Sequence, residues 1–229
     1  MTNRLIIALD FASAELALNF IKPLSPQDCK LKVGFELFVA AGPDFVRKLV
    51  TLGFDVFLDL KFHDIPNTVA SACKSAANLG VWMLNVHASG GEPMLLAARE
   101  ALSGFKQAPK LIAVTVLTSM DQYQLEQIGI TQTPVEQVTR LAALTQQCGL
   151  DGVVCSAQEA SYLKQEYGAN FLLVTPGIRP VGSQLDDQSR TLTPLAARQV
   201  GIDYVVVGRP ITQSVNPLEV IASINQDLS

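Results

Sequence analysis

The sequence predicts an α/β fold, a (β/α)8 barrel built as a single domain over residues 1–229, and three observations lead there. Eight short runs rich in Val, Ile, Leu and Phe recur along the chain, spaced roughly 20 to 40 residues apart, room for one crossover helix each. Most of them lack apolar/polar alternation, the pattern of parallel strands buried on both faces. Helix-start signals fall between them, and eight such units in 229 residues suit a closed barrel better than an open doubly wound sheet.

The runs, in order, are 5–10, 30–35, 55–61, 81–88, 110–117, 152–156, 171–178 and 204–209. Thr133-Pro134-Val135-Glu136 carries a cap residue, a proline at the first helical position and a glutamate three residues after the cap. Asn216-Pro217-Leu218-Glu219 repeats that arrangement, and Thr193-Pro194 opens another helix without the glutamate. The alanine-rich stretches 69–79 and 95–102 suit helices packed closely on a sheet. One stretch breaks the beat: 181–192 is polar, contains glycine, and is long for a barrel loop, which marks it as a lid.

Composition excludes several classes. With 48% hydrophobic and 17% charged residues, the chain is too apolar for intrinsic disorder. A net charge of -4, from 17 Lys+Arg against 21 Asp+Glu, provides no global basic field to gather nucleic acid, so no nucleic-acid partner is expected. No segment approaches the roughly 18 apolar residues of a membrane span, so no membrane partner is expected either. The apolar start ends at Asp10, short of a secretory core segment. Cys29, Cys73, Cys148 and Cys155 show neither C-x-x-C spacing nor a histidine at metal-ligand intervals, so they read as reduced, largely buried thiols of a cytoplasmic protein.

In a barrel of this kind, chemistry sits where the strands end. Those ends hold Asp10, Lys32, Asp59 with Lys61, His87, Thr118 with Ser119, Pro176-Gly177-Ile178-Arg179, and Gly208-Arg209. Asp59 and Lys61 project to one side of an extended chain, and Asp64 follows where the chain turns toward the next helix. A surface charge pair with a capping aspartate is the plain alternative, but these charges close a very apolar strand, which favours a site. The two glycine-arginine turns close the last two strands, where barrels commonly bind phosphate through backbone N–H groups and an arginine fork. Gln188, in the long loop, either closes over such a group or stands solvated, as loop glutamines usually do. His87 reads as a hydrogen-bonded structural residue and His63 as loop surface. Thr118 and Ser119 serve equally as ligand contacts or as caps.

Together, Asp59-x-Lys61-x-x-Asp64-Ile65-Pro66-x-Thr68, Ala8-Leu9-Asp10, Lys32-Val33-Gly34, Asn85-Val86-His87-Ala88, Pro176-Gly177-Ile178-Arg179, Asp187-Gln188 and Gly208-Arg209 resemble the orotidine 5′-phosphate decarboxylase family in order and spacing, over nearly the whole chain. The resemblance implies decarboxylation of orotidine 5′-phosphate to UMP in pyrimidine biosynthesis, by a homodimer with active sites at the subunit interface and with no metal or other cofactor. It implies that Asp10 and Lys32 hold the ribose hydroxyls with Lys32 adding charge near the reacting centre, that Asp59 and Lys61 meet the pyrimidine at C6 with Lys61 as proton donor, and that Asp64 and Thr68 serve the neighbouring subunit's site, where they complete a catalytic Lys/Asp array. It further implies that Thr118 or Ser119 contacts the base, that Arg179, Gln188, Gly208 and Arg209 bind the phosphate, and that Pro176 joins the substrate site. Two readings compete. The 3-keto-L-gulonate 6-phosphate decarboxylases and hexulose phosphate synthases resemble this chain in their D-x-K-x-x-D strand end, but they hold Mg²⁺ with a carboxylate where this sequence has Lys32, and a lysine opposes a divalent cation there. A non-catalytic nucleotide-phosphate-binding barrel needs the glycine-arginine turns but neither Lys61 nor Asp64.

Overall fold

The computed structural model describes residues 3–180 and 192–229. Eight parallel strands close into a TIM-type barrel in the order β1 to β8. They are β1 (Leu5–Ala8), β2 (Lys30–Gly34), β3 (Val56–Phe62), β4 (Met83–His87), β5 (Lys110–Val114), β6 (Gly152–Val154), β7 (Leu172–Pro176) and β8 (Tyr204–Val207). Each lies inside or within one residue of the run that predicted it. The helices around them are α1 (Ala14–Ile21), α2 (Phe35–Thr51), α3 (Pro66–Ala77), α4 (Glu92–Glu100), α5 (Gln122–Gln127), α6 (Pro134–Gln147), α7 (Ala160–Tyr167), α8 (Pro194–Gln199), α9 (Arg209–Thr212) and α10 (Pro217–Leu228). The expected lid at 181–192, with Gln188, lies outside the described residues except for Leu192, whose backbone bridges Ile178.

Two apolar cores explain why the strands do not alternate. Ile6, Ala8, Phe57, Met83, Ile112, Val174 and Val206 point into the barrel and pack together. Their neighbours Ile7, Leu58, Leu84, Ala113, Leu173 and Val207 point outward, into a larger core under the helices. For most of the barrel's strand length both faces are therefore dry, which favours apolar residues on each. At the bottom the interior is closed by Trp82, edge-on to Tyr204 with ring centroids 4.9 Å apart. The Lys30 ammonium sits 4.5 Å from the centre of the Trp82 ring.

Aspartates at the bottom fasten neighbouring strands. Asp151 donates its N–H to the Leu111 carbonyl at 2.8 Å, while its carboxylate accepts the Leu111 N–H at 2.7 Å. Asp203 does the same to Leu173, at 3.1 and 2.7 Å. Each also meets a cation from a helix, Arg99 for Asp151 and Lys164 for Asp203. These contacts satisfy strand-end donors that the ladder leaves open.

The predicted capping box at Thr133 forms, with Thr133 accepting from Glu136 N–H and Glu136 accepting from Thr133 N–H. Thr193 caps α8 through the N–H of Ala196. Asn216 departs from its expected arrangement: with φ -125 and ψ 73 it lies outside the extended cap geometry, and its amide bonds the Glu219 carboxylate instead of a backbone N–H. The four cysteines are buried and free, and burial raises the thiols of Cys29, Cys73 and Cys155 to about 12. Among the described residues, no helix is long and apolar enough to cross a membrane.

Gly152 opens β6 with no space for a side chain: a Cβ there would stand 2.0 Å from the Leu172 carbonyl oxygen. Backbone is the obstacle, so Gly152→Ala should cost about 2 kcal/mol or more of stability, read from the denaturant midpoint. Gly104→Ala, whose added methyl meets nothing within 4 Å, should leave that midpoint unchanged or raised.

Candidate active site

At the strands' C-terminal ends the barrel interior turns from apolar to charged, around a cavity of about 280 Å³. Its floor is the top of the inner core, including Ala8, Phe57, Val174 and Val206. One wall carries Asp10, Lys32, Asp59 and Lys61; the other carries Pro176, Gly177, Arg179, Gly208 and Arg209; Thr118 stands between them.

The charged wall alternates in sign. The Lys32 ammonium lies 3.3 Å from an Asp10 oxygen and 3.3 Å from Asp59 Oδ2. Asp59 Oδ1 in turn accepts from the Lys61 ammonium at 2.7 Å. Asp59 is only 8% exposed, whereas the Asp10 side chain opens to solvent. Burial by itself pushes the Asp59 carboxyl up, but Lys32, Lys61 and the Asn85 amide together bring it below the ordinary carboxylate value. For Lys32, burial opposes the charge, and Asp59 and Asp10 more than offset it, holding the ammonium above its ordinary value.

Strand β3 is irregular where it delivers these groups. Its pairing with β4 runs Phe57↔Met83 and Leu58↔Leu84, then resumes at Phe62↔Val86. Within the shift, Lys61 adopts φ +51, the one positive φ among the described non-glycine residues. Left-handed backbone costs an L-residue about 1–2 kcal/mol, so something must hold it there. Asn85, fully buried on β4, does so: its Oδ1 accepts the Lys61 N–H at 2.8 Å and its Nδ2 donates to Asp59 Oδ1 at 2.7 Å. The sequence reading gave Asn85 no role. Its signal was a lone amide inside an apolar run, in phase with inward-facing Met83.

Of the residues singled out by sequence, Asp10, Lys32, Asp59, Lys61, Thr118, Pro176, Arg179, Gly208 and Arg209 converge on the cavity. Arg179 is buried, its backbone N–H donating to the Leu192 carbonyl at 2.9 Å, and Gly177 turns the chain with φ +80. Arg209 is exposed at the start of α9. Ser119 is exposed and lies off the cavity wall, so Thr118 is the residue of that pair that faces it. Asp64 and Thr68 are exposed and also off this chain's cavity wall; Asp64 Oδ1 accepts the N–H of Ile65 at 2.7 Å. Phe35, Val39 and Ile65 expose apolar surface, and the Lys61 ammonium stands 5.7 Å from the Phe35 ring centre. His87 packs at a tilt against the exposed His63 with centroids 5.4 Å apart, and burial, then electrostatic interaction with His63 and Lys61, pushes His87 below its ordinary value. Among the described residues, no group of three or more His, Cys, Asp or Glu is arranged to hold a metal ion.

Residues 3–224 match the Orotidine 5′-phosphate decarboxylase / HUMPS family. The orotidine 5′-phosphate decarboxylase of Pseudoalteromonas atlantica is 60% identical over 227 residues, covering 99% of this chain and 98% of its own. That of Chromobacterium violaceum is 60% identical over 228 residues, covering 100% of this chain and 92% of its own. The crystal structure of orotidine 5′-phosphate decarboxylase from Lactobacillus acidophilus superposes with a TM-score of 0.88 at 39% identity, covering both chains fully.

The array sets a pH dependence of stability. Asp59, lowered in the folded state, contributes stability that is present above its unfolded value, about 3.9, and lost as pH falls through the folded value. Lys32, raised in the folded state, contributes stability that is complete below about 10.4 and lost as pH rises through the folded value. Denaturant unfolding of Asp59→Asn against wild type should therefore show a deficit that is widest at neutral pH and narrows toward both extremes.

Proposed function

The chain belongs to the Orotidine 5′-phosphate decarboxylase / HUMPS family, and from that premise we propose that it decarboxylates orotidine 5′-phosphate to UMP and CO2 without a metal. The observation that carries this reading is the alternating Asp10–Lys32–Asp59–Lys61 wall on one side of the cavity, facing the glycine-arginine turns on the other. A nucleotide laid across the cavity of this single-domain barrel puts its phosphate against Arg179, Gly208 and Arg209 beside Pro176, and Gln188, outside the described residues, is assigned to the same phosphate. Its ribose hydroxyls meet Asp10 and Lys32, its base meets Thr118, and C6 lies at Asp59 and Lys61.

Breaking the C6–CO2 bond leaves an electron pair in an in-plane orbital of C6, orthogonal to the ring π-system, so no electron sink receives it. The Lys61 ammonium, already fixed against Asp59, stabilises that charge as it develops and then transfers a proton to C6, leaving neutral lysine and UMP. Asp59 lies beside the departing carboxylate, and their repulsion is relieved as CO2 leaves. Fixing the ions before substrate arrives removes the reorganisation that water would require, and this preorganisation is the larger effect. Grip on the distant phosphate supplies binding energy for closing and aligning the site.

Asp64 and Thr68 find their place in a homodimer, extending from one protomer into its partner's cavity to complete the Lys/Asp array beside Lys61. The exposure of both residues, and of the apolar side chains of Phe35, Val39 and Ile65, supports this arrangement. Such an enzyme works in the cytoplasm, where pyrimidine nucleotides are made.

Loss of ultraviolet absorbance on adding orotidine 5′-phosphate in EDTA tests the reaction. Rapid conversion to UMP is expected, reduced by at least about 10³-fold in Lys61→Ala; turnover only of a keto-sugar phosphate with added Mg²⁺ would move the assignment to the metal-dependent branch. Asp64→Asn and Lys61→Ala should each be nearly inactive, and mixing them should restore about a quarter of wild-type activity, because half the exchanged dimers then hold one intact site. Verified subunit exchange with no restored activity would rule out the shared site.

A further inference from the structure

Between Leu58 and Phe62, β3 has three residues where β4, between Leu84 and Val86, has one, and that one is Asn85. The extra length rotates the Lys61 N–H out of the regular ladder, and the Asn85 carbonyl oxygen receives it at 2.8 Å. The Asn85 NH2 donates at 2.7 Å to Asp59 Oδ1, the same oxygen that accepts the Lys61 ammonium at 2.7 Å. Three hydrogen bonds thus close a ring through the backbone of Lys61, its side-chain tip and Asp59. A single carboxamide orientation serves both of its contacts, since the Lys61 N–H needs an acceptor and the Asp59 carboxylate needs a donor. Asn85 is fully buried, so water offers no replacement for either bond.

We propose that Asn85 is a positioning residue for the reaction: its carboxamide holds Lys61 in the left-handed conformation and fixes Asp59, so that ammonium and carboxylate meet C6 in a set geometry. This rests on the decarboxylase reading above. No other residue type supplies both contacts from this place. Leucine matches the volume but forms neither bond. Aspartate keeps an acceptor for the Lys61 N–H but sets a second carboxylate against Asp59. The charged and titratable groups around the position are Asp59 and Lys61 of β3, Lys32 of β2 through Asp59, and His87 of β4.

Steady-state kinetics of Asn85→Leu and Asn85→Asp from pH 5 to 9, with UMP binding by calorimetry, test the proposal. Asn85→Leu should lose about 30-fold or more in kcat while KM and UMP affinity stay within about threefold, because the fault lies in aiming the ammonium and not in holding the nucleotide. Asn85→Asp should lose a similar factor at pH 8 and recover at least about tenfold relative to wild type on acidification, since a protonated carboxyl again donates to Asp59. A merely structural role does not produce that recovery. If Asn85→Leu fails to fold, Asn85→Asp decides by the same profile. A kcat for Asn85→Leu within threefold of wild type, a loss carried by KM alone, or an Asn85→Asp profile parallel to wild type would each overturn the positioning role in an active enzyme. A wild-type protein that leaves orotidine 5′-phosphate unchanged would instead overturn the decarboxylase reading, and this proposal with it.

Discussion

A carboxylate as buried as Asp59 stays ionised only if cations and donors replace the water it has lost, and the catalytic face is organised around that requirement. Lys32 covers one oxygen, while Lys61 and Asn85 share the other. Each lysine alone would be an uncompensated charge in a low-dielectric cavity, and Lys32 is answered on its far side by Asp10. The result is a line of alternating charges, each stabilised by its neighbours, that holds its geometry before any ligand arrives. An array of this kind suits a reaction in which charge must be met the moment it forms.

The barrel makes the array affordable. Inward positions of the strands are apolar for most of their length, so the interior is a packed core that excludes water from below. At the cavity end the charged inward positions are Lys32 of β2 and Asp59 and Lys61 of β3. Aromatic closure at the bottom by Trp82 and Tyr204, and the aspartates that pin strand to strand there, keep stability and chemistry at opposite ends. Charge–charge interactions at the top are strengthened by the dry core beneath them. The irregular pairing of β3 with β4 is the local cost of turning Lys61 toward the cavity, offset by the Asn85 amide.

The two walls divide the labour. Gly177 and Gly208 bring backbone close to the cavity beside two arginines, suited to an anion, while the opposite wall carries the alternating charges. Asp64 and Thr68 belong to neither wall within one chain. Their motif places them three and seven residues after Lys61, where β3 gives way to α3 and the chain heads outward beside exposed Ile65. The homodimer proposed above gives these two exposed residues a role in the neighbouring protomer's site.

By itself the sequence determined the fold, because both-face burial imposes a readable rule: strands dry on two sides become unbroken apolar runs, and the caps at Thr133 and Thr193 mark the helices between them. It also marked strand ends that line the cavity, since charges such as Asp59 and Lys61 stand out at the close of an apolar run. Tertiary structure alone decided what depends on backbone angles and on partners distant in sequence. The φ of Lys61, the selection of Thr118 over Ser119 for the cavity, and the failure of Asn216 to cap like Thr133 follow from local turns that share one residue pattern with several geometries. Asn85 shows the difference most plainly: in sequence it is one amide inside a buried strand, and its meaning comes from Asp59 and Lys61, more than twenty residues away, which barrel closure and a two-residue shift in register set against it.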